Sequence, residues 1–172
     1  GLRTVGDLLE HLPRARGEAR TIATLADRET ATVLVEVRSI RSRPVRRRGM
    51  RPLVEATVAD STGTLRATFF NQPWLVDRYR PGTRLLLTGR LDPRRGFAVS
   101  AHAPTGQQVG GVEQVAQYPA TEGISSTQLL ALVQEHGAAI DDVVEPLPAR
   151  LRARERLPDR PAALRAVHLP RR

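Results

Sequence analysis

At 172 residues, 40% of them hydrophobic and 26% charged, the chain is long enough to build one ordinary core with appendages and too apolar to be a disordered tail. The absence of cysteine excludes disulfide staples and thiolate metal sites. The formal net charge of +9 comes from 27 basic residues against 18 acidic ones, and every basic residue is arginine, which excludes a P-loop ATPase from this stretch because that loop needs a lysine on the phosphates.

Taken in chain order, Thr4 followed three residues later by Asp7 predicts a capped helix carrying Leu8, Leu9 and Leu12, ended by Pro13. Arg14 to Glu29 is mixed and polar and reads as a connector anchored by Ile22 and Leu25. From Ala31 the period becomes two. Val33, Val35 and Val37 share a face and Ile40 continues the run, predicting a first strand that leads into seven arginines between Arg38 and Arg51 with no acidic residue among them. This block is expected as a loop. Self-repulsion on that scale is relieved by a polyanion, so Arg43, Arg46, Arg47, Arg48 and Arg51 are candidate phosphate contacts.

A second strand follows from Val54, Ala56 and Val58 alternating with Glu55 and Thr57, then Asp60-Ser61-Thr62-Gly63 supplies hairpin turn chemistry. In the third strand Leu65, Ala67 and Phe69 face inward, while Arg66, Thr68 and Phe70 face outward. Four of the six aromatic residues lie between 69 and 79. Asn71 is expected to cap a short helix over 72–79, with Pro73 in its first turn and Pro81-Gly82 closing it. Leu85, Leu87 and Leu91 make a fourth strand, and Phe97, Val99 and Ala101 a fifth after the turn Asp92-Pro93-Arg94-Arg95-Gly96. Three strands, a short helix and two strands is the order of an OB-fold, a small five-stranded barrel that grips oligonucleotides.

The fold class is therefore mainly β with flanking helices: an N-terminal helical connector at 1–30, an OB-fold barrel at 31–104 and a helical linker at 105–172. In the last of these, Ser125 or Ser126 caps a helix through Val133 that stops at Gly137, and helices follow near Ala149–Leu157 and Ala162–His168. The start at Gly1 and the end at Arg172 suggest a piece of a longer protein. No apolar run approaches the ~20 residues needed to span a bilayer, and no signal-peptide pattern is present, so a cytoplasmic location and no membrane partner are expected. His11, His102, His136 and His168 are scattered without metal-ligand spacing, Asp141-Asp142 reads as a solvated pair, and no serine sits in a nucleophile elbow. No catalytic residue, metal ligand or cofactor is expected within the chain.

The opening Gly-Leu-Arg-Thr-Val-Gly-Asp-Leu-Leu-Glu-His-Leu-Pro, Asp60-Ser-Thr-Gly-Thr with Phe69-Phe-Asn-Gln-Pro-Trp, and Tyr118-Pro-Ala-Thr-Glu-Gly-Ile-Ser-Ser with Pro146-Leu-Pro and Val167-His-Leu-Pro resemble the wedge region of the RecG family of bacterial ATP-dependent DNA helicases. That resemblance implies an OB-fold wedge gripping replication forks and Holliday junctions, in recombination and repair, while motor domains elsewhere in the parent protein use ATP and Mg. It also implies that Phe70 and Trp74 stack on bases at the branch point; Asn71, next to Phe70, and Arg66, on the same outward face, are further candidate DNA contacts. Branched and single-stranded DNA are the implied partners of a nucleoid-associated monomer; the tail of single-strand-binding protein is a partner only of the protein-interaction alternative. Two other readings stay open: a free-standing OB module for single-stranded nucleic acid, and a protein-interaction barrel docking an acidic tail on its arginines.

Overall fold

The structure, a computed structural model, describes residues 2–43, 52–106, 114–119 and 123–169. They divide into two compact units, residues 18–113 and residues 1–17 together with 114–172.

The first of these units is built on alternation. Strand β1 (Ala15–Arg20) ends beside β2 (Thr30–Arg43), in parallel register at Ala19↔Thr32 and Arg20↔Val33. Strands β3 (Leu53–Ala59), β4 (Thr64–Phe70), β5 (Arg84–Asp92) and β6 (Gly96–Pro104) complete it, with the four-residue helix α2 (Leu75–Arg78) between β4 and β5. The order β3-β4-β6-β5-β2 closes on itself through a β2–β3 pairing, and β4–β6 is its one parallel contact, so the five strands form the ring of an OB-fold as expected. Val33, Val35, Val37, Val54, Val58, Ala67, Phe69 and Phe97 fill the interior, each at most 1% exposed, and Leu75 and Tyr79 of the helical segment seal it. The division of the two phenylalanines follows the pleat: Phe69 is buried and Phe70 stands out.

Three local expectations change. Arg38, Arg41 and Arg43 are strand residues, because β3 pairs with β2 as far as Arg43↔Leu53 after an irregularity between Val37 and Ser39. The stretch taken as a connector holds β1 and a 3-10 turn at Ile22–Thr24, whose Ile22 N–H reaches the Asp60 carboxylate at 2.7 Å. Asn71 does not cap a helix. It takes a left-handed conformation, φ 59°, and donates its N–H to Pro52 O at 2.9 Å, so the helix shortens to one turn starting after Trp74.

The second unit comprises α1 (Val5–Glu10), β7 (Gln114–Gln117), α3 (Ser126–Glu135), a 3-10 helix at Gly137–Asp142, α4 (Ala149–Glu155) and α5 (Arg160–His168). Both predicted serine and threonine caps form reciprocal boxes, Thr4 with Asp7 and Ser125 with Gln128. Leu9, Ile140 and Leu164 make a small core, although Leu12, counted in the helical stripe, is exposed beyond the end of α1. Asp159 caps α5. Glu145 ties the preceding loop together, accepting from the N–H groups of Leu147 and Arg160, which hold its carboxyl below the usual range. The buried imidazole of His168 joins α5 to α1 through Leu9 O at 2.8 Å and meets the Tyr118 hydroxyl at 2.7 Å.

Candidate nucleic-acid interface

The outward face of β3 and β4 is flanked by the β2 end and the β5–β6 turn, and it forms the floor of an open groove of about 730 Å³. Six arginines line it, Arg28, Arg43, Arg66, Arg90, Arg94 and Arg95, with Phe70 and Leu53 as apolar surface. The two carboxylates in the lining are already engaged. Asp92 accepts the N–H groups of Arg94 and Arg95 at 2.8 and 3.0 Å, which holds its carboxyl low and shapes the turn. Glu55, placed outward by alternation, is buried at 8% because Arg43 and Arg41 close over it at 3.1 and 3.5 Å. A carboxylate so enclosed needs those cations, and they in turn are held in place on the strand.

Two arginines spend donors on the architecture. Arg66 reaches Arg94 O at 2.9 Å, and Arg90 reaches Arg28 O at 2.8 Å. Gly96 lets the start of β6 pass close to the Arg66 backbone: at φ 83° its absent Cβ would lie 2.4 Å from Arg66 O. Arg28, Arg94 and Arg95 are exposed, and among the described residues none of the three makes a direct salt bridge, although Arg95 and Arg28 help to lower the Asp92 carboxyl. A groove with fixed walls, free forked donors and an aromatic edge can hold phosphates along its rim and bases on its floor.

Of the sequence candidates, the structure brings Arg43, Arg66 and Phe70 into this groove. Trp74 follows on the same segment, and Phe70 and Trp74 are 55% and 56% exposed, with neither ring engaged by another aromatic group among the described residues. Asn71 supplies the bend between them. Arg46, Arg47, Arg48 and Arg51 lie outside the described residues. Sequence reasoning missed Arg28, Arg90, Arg94 and Arg95. The Asp-Pro-Arg-Arg-Gly turn was a local signal for Arg94 and Arg95 alone, because convergence on one groove depends on ring closure. It also missed His102, whose ring contacts Gln72 Oε1 at 2.7 Å and the Tyr79 hydroxyl at 2.8 Å. Among the described residues no cluster suited to a metal ion occurs and no helix is long and apolar enough to cross a membrane.

Residues 31–106 match the family described as an OB-fold nucleic acid binding domain. The ATP-dependent DNA helicase RecG of Mycobacterium leprae is 27% identical over 98% of this chain, and that of Synechocystis 27% identical over 99%. The chain spans 28% and 23% of the length of those relatives. A solved RecG bound to a three-way DNA junction superposes over 99% of the chain and 24% of its own, with a TM-score of 0.59 at 20% identity, which supports the fold. The chain is thus similar to RecG helicases over nearly its whole length, and its residues 31–106 match an OB-fold nucleic acid binding domain.

Proposed function

We propose that the chain is the branched-DNA-binding wedge of a longer RecG-like helicase, with residues 31–104 as the gripping module and the segments at 1–30 and 105–172 as its connections toward the rest of the protein. The observation that carries this reading is the pair of rings at Phe70 and Trp74, each more than half exposed, Phe70 in the lining of the arginine-rich groove and Trp74 four residues further along the same segment. Burying a phenylalanine contributes about 1.5–3 kcal/mol, and these rings leave much of that unrealised in the free chain. Stacking on an unpaired base at about 1–3 kcal/mol recovers it, and offsets the unstacking of the last pair at a fork without reading sequence. The arginines supply a salt-dependent grip on phosphate that is common to every DNA form.

Within this proposal the chain itself turns over no ATP. The ATP and Mg of the parent enzyme act in motor domains elsewhere, which translocate on duplex while the wedge separates strands. Replication forks and four-way junctions are its preferred partners, in a monomer associated with the nucleoid. The tail of single-strand-binding protein is a further partner of the arginine surface.

Titration of labelled fork, four-way junction, single strand and duplex with the 172-residue chain tests this. The chain binds fork and junction in preference to duplex, and Phe70→Ala with Trp74→Ala lowers that preference at least ~5-fold. Arg94→Ala with Arg95→Ala weakens all forms alike and makes the log–log salt dependence shallower by about 1–2. Equal fork affinity of the ring variant and the parent would sink the stacking role. A preference for linear single strand over fork favours the free-standing OB module instead.

A further inference from the structure

The segment that carries Trp74 cannot hold its own place. Helix α2 has four residues and no side-chain cap, whereas isolated helices shorter than about 12 residues are marginal in water. Its anchors are tertiary. Leu75 and Tyr79 are buried, at 0% and 2% exposure. Between them and β6 lies one imidazole, His102, held in the sheet opposite Leu87 of β5.

His102 reaches both ends of the segment. Its Nε2 is 2.7 Å from Gln72 Oε1, two residues before Trp74, and its Nδ1 is 2.8 Å from the Tyr79 hydroxyl, five residues after it. An amide oxygen only accepts, so Nε2 carries the proton and Nδ1 accepts from the tyrosine. The Phe69 and Tyr79 rings meet the imidazole edge-on at 5.3 and 5.4 Å, fixing its plane. A single planar group with one donor and one acceptor therefore spans residues 72–79, with the exposed indole between its two attachment points. Burial, with a smaller contribution from Arg78, keeps this imidazole below its ordinary pKa and so in the neutral form the two contacts require.

From these contacts we infer that His102 is a positioning residue for the wedge rings: it clamps the Gln72–Tyr79 segment to β6, presenting Trp74 at a fixed place relative to Phe70, and so governs fork preference rather than general DNA affinity. The inference rests on the stacking reading above. His102 is not in the groove lining and touches no proposed DNA contact except through this segment.

Trp74 is the only tryptophan, so its fluorescence reports on the segment directly. His102→Phe keeps a ring for the edge contacts and deletes both hydrogen bonds. Gln72→Leu deletes one of them from the other side. In the folded free chain, acrylamide quenches Trp74 more strongly in His102→Phe than in the parent, and the fork-to-duplex preference falls about fivefold. Gln72→Leu moves both readouts in the same direction by less, and the double variant is no worse than His102→Phe alone. His102→Gln, which can both donate and accept, recovers part of the loss. Unchanged acrylamide quenching and unchanged fork preference in the variants overturn the clamp. If fork DNA fails to alter Trp74 emission in the parent, the stacking reading falls, and acrylamide quenching in the free chain still decides the clamp. Should His102→Phe not fold, Gln72→Leu carries the same decision.

Discussion

Two histidines in this chain make the same pair of contacts in different surroundings. His102 and His168 each accept a tyrosine hydroxyl at Nδ1 and donate from Nε2 to an amide oxygen, that of Gln72 in one case and the Leu9 backbone in the other. Both are held below the ordinary histidine pKa by burial, His102 with a smaller push from Arg78 and His168 with an opposing pull from Leu9 O. His168 is 0% exposed and lies in a parallel stack with Tyr118, its ring centroids 5.8 Å apart. His102 is half-buried and holds Gln72 and Tyr79, which flank the exposed Trp74 in the chain. Identical hydrogen-bond chemistry therefore secures a core in one unit and aims a surface in the other.

The largest expected effect comes from His168→Ala. It removes a buried ring, leaves a cavity and strands the Tyr118 hydroxyl, for a loss of about 3–5 kcal/mol in chemical denaturation. Where the chain still folds, fork preference is unchanged, and a loss of that preference would erase the distinction between the two histidines. Tyr118→Phe comes next. It leaves Nδ1 of His168 without a donor in a closed site and costs about 1–3 kcal/mol. Tyr79→Phe makes the matching deletion at His102 and costs about 0.5–1.5 kcal/mol, because water can reach a half-buried imidazole. Equal losses from the two tyrosine variants would show that exposure does not separate the sites.

Acidification sharpens the comparison further. Below the ordinary histidine value of 6.5 the unfolded chain binds protons that the folded imidazoles refuse. Stability is therefore fully present above that value and falls as pH drops through the depressed folded values. Denaturation midpoints recorded from pH 7 to pH 5 decline, and Tyr118→Phe makes the decline shallower by removing a group that favours the neutral ring. Trp74 emission from the folded chain stays constant while the His102 ring is neutral and shifts only once pH falls to its depressed value, and His102→Phe abolishes that shift. The smallest effect on stability is that of Phe70→Ala and Trp74→Ala, each within about 0.5 kcal/mol by denaturation, since exposed rings contribute little to the fold.

Much of the barrel was legible because a pleat repeats every two residues and leaves a local signature. Val33, Val35 and Val37 turned inward as their spacing required, and Phe69 and Phe70 parted to opposite faces. The helix caps at Thr4 and Ser125 were legible for the same reason, since a capping box closes within four residues. Strand β7 had no such signature in its four residues, and β1 sits in a stretch of mixed polarity where alternation gives no contrast.

The sequence by itself determined the positions along the chain of the five barrel strands, their inward and outward faces and the excess of arginine, because these depend on neighbours in the chain. Only the tertiary structure decided which charges meet. Ring closure brings Arg28, Arg66 and Arg94 to one groove from positions up to 66 residues apart, buries Glu55 under Arg41 and Arg43, and sets His102 against Gln72 and Tyr79. Contacts of that kind depend on β4 pairing with β6 and β3 with β2, and no local periodicity encodes a partner at such a distance.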